Sequence, residues 1–107
     1  MYVIRRVWDS HPGKARRAAT IVAEIGRIYE EHGRRGPSTV YFNSGTLPAE
    51  KNKVYMQWED ETIGSPYGLG QPSISELTPL GDELREITDG SVIEFYEMMT
   101  PQKALEA

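Results

Sequence analysis

Two adjacent arginines, Arg5 and Arg6, interrupt a segment that otherwise has the composition of a buried strand, Tyr2-Val3-Ile4-Arg5-Arg6-Val7-Trp8. Strand side chains alternate between faces, so the two guanidiniums project to opposite sides of any sheet this segment joins. Neither face of that sheet is wholly apolar along this strand. The alternation groups Val3, Arg5 and Val7 on one side and Tyr2, Ile4, Arg6 and Trp8 on the other.

The rest of the chain reads as a small α+β domain. After Asp9-Ser10, His11-Pro12-Gly13 opens a helix predicted to start near Pro12. Its stripe is Ala15, Ala18, Val22, Ile25 and Tyr29, with Ala19, Ile21 and Ile28 alongside. Gly33 supplies a left-handed stop, so the helix is expected to end near His32. Strands follow at 38–44 and 54–59, rich in β-branched and aromatic residues. The Gly- and Pro-rich stretch 60–73 has no apolar periodicity and reads as a loop.

Thr78-Pro79 marks the first turn of a second, acidic helix carrying Leu77, Leu80, Leu84 and Ile87. Asp89-Gly90 reads as a turn, with a last strand at 91–99. Pro101 separates a tail, so residues 1–100 are expected to form one domain and 101–107 a C-terminal extension.

The order β-α-β-β-α-β predicts a ferredoxin-like sandwich, an antiparallel sheet ordered 4-1-3-2 with both helices on one face. The other face is left for water, a ligand or a second subunit. Val40, Phe42, Ile93 and Phe95 make the better helix-facing set, which turns Tyr41, Asn43, Glu94 and Tyr96 to the open side.

Charge is unevenly distributed within a net of −4. Residues 1–53 hold ten Lys/Arg against five Asp/Glu, and residues 54–107 hold two against eleven. Halves of opposite sign are expected to lie side by side. Acidic net charge, and a third strand without the glycine pattern of RNA-recognition modules, argue against a nucleic-acid partner. No apolar run approaches the roughly 20 residues of a membrane span, there is no cysteine, and a cytoplasmic location is expected.

Arg5-Arg6-Val7-Trp8, followed by Pro12-Gly13-Lys14 at a helix start, resembles the opening of NIPSNAP-type domains of the dimeric α+β barrel superfamily. Asn52-Lys53-Val54-Tyr55-Met56-Gln57-Trp58 is similar to their third strand. The resemblance implies a homodimer whose sheets face each other around a cavity. That scaffold is shared by cofactor-independent monooxygenases, isomerases, haem-binding enzymes and many proteins of unassigned role.

In the 4-1-3-2 order, an arginine of strand one has Glu94 or Glu97 on one side and Gln57 or Glu59 on the other. Candidate catalytic residues are therefore Arg5 and Arg6 as cations, with Glu94 and His11 to move a proton. A carboxylate in an apolar cavity is expected to have a raised pKa. Tyr41, Asn43, Trp58, Tyr67 and Tyr96 are the candidate ligand contacts. Metal ligands are not expected, because His11 and His32 form no local pair, and no cofactor motif is present. The reading is a homodimer holding a small organic ligand between the sheets or at their rim, with monooxygenase or isomerase chemistry implied by the resemblance. The alternative is a non-catalytic dimerisation or regulatory module.

Overall fold

Alternation of apolar and polar residues builds the sheet. The computed structural model describes residues 1–63 and 73–106, in the order β1 (Tyr2–Ser10), α1 (Ala15–Glu31), β2 (Thr39–Asn43), β3 (Lys53–Asp60), α2 (Leu77–Ile87) and β4 (Thr88–Glu97). A short 3-10 turn, Pro101–Lys103, follows. The four strands pair in the order β2-β3-β1-β4 with every pairing antiparallel, which is the 4-1-3-2 arrangement read from the other edge.

Register fixes the faces. Ile4 is opposite Trp58 and Phe95, and Arg6 is opposite Met56 and Ile93. The even-numbered residues of β1 and β3 turn toward the helices, where Ile4, Trp8, Val54, Met56 and Trp58 are buried against Ala15, Ala18, Ile21 and Val22 of α1. Leu84 of α2 completes this core. The described residues form a slab 48 × 41 × 19 Å, the thickness of a sheet covered by helices on one side only.

Helix α1 starts at Ala15 rather than Pro12, because the His11 carbonyl first accepts from Lys14 N–H at 3.0 Å and closes a turn. Its end is the expected left-handed stop. Gly33 has φ 68°, its N–H donates to the Glu30 carbonyl at 3.0 Å, and Arg34 N–H donates to the Tyr29 carbonyl at 2.9 Å.

The sequence-based turn at Asp89-Gly90 is corrected to a β-bulge. Strand β4 leaves α2 directly at Thr88, and pairing shifts between Trp8 opposite Ser91 and Ser10 opposite Thr88. Asp9 thus faces two residues, Asp89 and Gly90, and Gly90 takes φ 121° to absorb the extra one. A turn would have ended the ladder here; the bulge continues it.

The oppositely charged halves do lie together. Arg5 pairs with Glu94 at 2.7 Å and Arg17 with Glu83 at 2.6 Å, and the His11 ring hydrogen-bonds Asp89 at 2.8 Å. Each contact joins the first half of the chain to the second.

Gly90→Ala is expected to cost about 1–3 kcal/mol, because an L side chain is strained at this φ. Gly36→Ala, where an added Cβ meets nothing within 4 Å, should change stability by no more than about 0.5 kcal/mol. Urea unfolding of both variants checks this, and equal effects would remove the strain argument.

Candidate functional site

The uncovered face of the sheet carries a network centred on Arg5. Strand alternation directs Arg5 away from the helices, and antiparallel register brings Gln57 of β3 and Glu94 of β4 to its two sides. Arg5 Nε donates to Glu94 Oε1 at 2.7 Å, and the two side chains are each about a third exposed, at 32% and 33%. The guanidinium also lies over the Tyr55 ring at 5.0 Å and the Tyr96 ring at 6.0 Å.

From there the network extends to β2. Tyr41, opposite Tyr55, stacks on it with ring centroids 4.9 Å apart. The Tyr41 hydroxyl donates to Gln57 Oε1 at 2.9 Å. Around this cluster are apolar groups with no covering layer among the described residues: Val92 is 60% exposed and Tyr96 48%.

Electrostatics settle the state of the central pair. The hydrogen bond from Arg5 holds the Glu94 carboxyl below its ordinary range, with the Arg5 charge and a hydrogen bond from Tyr96 acting in the same direction and burial opposing them. The expected raised carboxylate pKa is thus reversed, because a partner cation outweighs desolvation on this half-open face. Arg5 is correspondingly held above its ordinary value, first by Glu94 and then by Tyr41.

The remaining sequence-based candidates are dispersed. Arg6 faces the helices, stands 5.9 Å from the Trp8 ring, and has an enclosed Nε with no hydrogen-bond partner. Trp58 is buried on the same helix-covered face, with the Arg35 guanidinium 4.0 Å from its ring, and is remote from the Arg5 network. Asn43 is only 5% exposed and organises the β2–β3 connection. Its Nδ2 donates to the Leu47 carbonyl at 2.9 Å, and its Oδ1 accepts from Gly45 N–H at 2.9 Å. His11 stands at the end of β1, 2.8 Å from Asp89 and away from Arg5. Tyr67 lies outside the described residues.

Tyr55 is a network member that the sequence did not single out, and Gln57, expected beside a β1 arginine, was not among the candidate ligand contacts. Their signal was available: they alternate with Val54, Met56 and Trp58, so the apolar set of β3 assigns them to the opposite face. Arg35, just past the Gly33 stop, inserts between Tyr29, at 4.2 Å, and Trp58, and Nη1 donates to Met56 Sδ at 3.2 Å. Among the described residues, no three His, Cys, Asp or Glu side chains converge to hold a metal ion.

The Arg5 pair has a signed pH dependence. A carboxyl whose folded pKa is lowered contributes stability that is present above its unfolded value, about 4.3 for glutamate, and is lost as pH falls through the folded value. The melting-temperature advantage of wild type over Glu94→Gln should therefore be present at pH 7 and shrink below about pH 4. A difference that stays constant with pH would show that the pair contributes no ionic stabilisation.

No family model and no curated protein matches the sequence. Solved structures do match the fold. A candidate antibiotic biosynthesis monooxygenase from Deinococcus radiodurans aligns over 99% of this chain and 100% of its own, with TM-score 0.64 and 11% identity. A NIPSNAP family protein from Agrobacterium tumefaciens aligns over 98% of both chains, with TM-score 0.64 and 16% identity. Protein Atu4242 from the same organism covers 91% of this chain and 92% of its own at TM-score 0.53 and 12% identity. At such identities the likeness is one of architecture, and it agrees with the strand order and register: the chain has the ferredoxin-like α+β fold of the NIPSNAP protein and the candidate monooxygenase.

Proposed function

We propose that this protein is a homodimer that joins its uncovered sheet faces and holds a small oxygenated organic molecule between them or at their rim. The observation that carries this reading is the Arg5 network itself. A cation, a carboxylate and the three rings of Tyr41, Tyr55 and Tyr96 form a connected polar and aromatic surface on a sheet face that no layer of the described chain covers. Aromatic surface of this kind is favourable to bury, and facing sheets about 10 Å apart would bury it.

Within such a cavity, Arg5 and the Tyr41 hydroxyl are the groups suited to a carbonyl or enolate oxygen of the ligand, as donors to developing negative charge. Glu94 is better suited to orienting Arg5 than to abstracting a proton, because its lowered pKa makes it a weaker base than a free glutamate. His11 and Asp89, at the end of β1, would lie at the rim. The fold likeness to a candidate monooxygenase fits cofactor-independent chemistry on such a ligand without selecting it.

The satisfaction of Arg5 by Glu94 favours the second reading, a non-catalytic dimerisation module whose polar residues fix register. Native mass spectrometry under gentle and then denaturing conditions separates the two. The expected result is a dimer carrying an organic molecule that is released on denaturation. A dimer that is empty as isolated from cells would assign the module reading, and a monomer at micromolar concentration would overturn both.

A further inference from the structure

The second arginine of the opening pair lies on the opposite face of the sheet in a different setting. Between α2 and the sheet is a cavity of about 390 Å³, within the range of small-molecule sites. Arg6 and Trp8 of β1 and Met56 of β3 form its floor, Ile25 and Tyr29 of α1 one wall, and Leu84 of α2 another. Arg35 and Arg85 also border it, and none of its described lining residues is a carboxylate.

These three cations are not equivalent. Arg85 pairs with Asp82 on its own helix, and Arg35 is engaged with two rings and the Met56 sulfur. Arg6 has Met56 and Ile93 as its cross-strand neighbours, so the register gives it no acidic partner. Its Nε is enclosed and donates to nothing. No hydrogen bond or ion pair within the described chain engages the Arg6 guanidinium, so the rest of its fork can take an acceptor from a molecule in the cavity.

We propose that this cavity is a binding site for a small organic carboxylate. The ligand's carboxylate accepts from the Arg6 guanidinium, and its apolar body lies among Trp8, Ile25, Tyr29, Met56 and Leu84. The fork of guanidinium donors matches the two oxygens of a carboxylate, and the predominantly apolar walls suit a hydrocarbon or aromatic body better than a free inorganic anion. This site is separate from the Arg5 network, because β1 alternation places the two arginines on opposite faces. Neither proposal depends on the other.

The test is a titration of the ¹⁵N-labelled protein followed by amide chemical shifts, with 2-naphthoate as the probe. Its uncharged counterpart 2-naphthamide and inorganic phosphate serve as parallel arms. Saturable shifts are expected for naphthoate at Trp8, Gly81 and Gly90, with weaker or no binding of naphthamide and of phosphate. Arg6→Met should weaken naphthoate binding about tenfold or more, and Arg6→Lys less. Arg6→Met removes the enclosed donor while keeping an unbranched side chain, so it is expected to fold, and the acid–amide comparison needs no variant. Equal binding of acid and amide, phosphate binding as tight as naphthoate, undiminished binding by a folded Arg6→Met protein, or no saturable shift at millimolar naphthoate would each overturn the proposal.

Discussion

Arg5 and Glu94 meet across β1 and β4 at 2.7 Å, and the register recorded by that contact is what the rest of the structure depends on. A slip of one residue would exchange the faces of β1, bringing Arg5 into the helix layer and turning Ile4 and Trp8 outward. Ile4 is 1% exposed and packs in the same core as Val22, Val54 and Trp58, so the slip would forfeit the central apolar contacts along with the ion pair. The polar pair and the apolar core specify the same register from opposite sides of the sheet.

Much of this was legible in the sequence, for a simple reason: period-two patterning is local. Val40, Phe42, Ile93 and Phe95 identify the helix side of the outer strands, and Tyr41, Glu94 and Tyr96 follow to the open side. The stripe of α1 and its Gly33 stop are equally local. Boundaries were less legible, because they depend on how the chain joins elements. Asp89-Gly90 has the composition of a turn but serves as a bulge, a role that exists only because β1 continues to Ser10 beside it.

The site was legible in part. Arg5, Glu94, Tyr41 and Tyr96 come together as alternation and strand order imply. Trp58 does not join them, since its place in the sequence beside Gln57 puts it on the other face, where Arg35 covers its ring. Asn43 has the register of an open-face residue, yet its amide is occupied by the backbone at Gly45 and Leu47. The face of Trp58 follows from the alternation of β3 itself, whereas Asn43 is taken up by the connection only two to four residues after it. The carboxylate pKa went the opposite way from expectation for a related reason. Burial would raise it, but the cation that alternation delivers to its side lowers it more.

The two arginines that open the chain thus divide its chemistry. Arg5 is paired within the sheet on the uncovered face, whereas Arg6, with its Nε enclosed, borders a cavity on the helix side. In the proposed dimer two copies meet through the Arg5 face. Because the chain has no cysteine, a single Val7→Cys substitution on that face of the central strand permits one spin label per chain. Electron–electron dipolar spectroscopy should then show a short inter-label distance, consistent with packed sheets about 10 Å apart bearing two labels. A dimer with no close pair of labels, or no dipolar coupling at any protein concentration, would contradict the account.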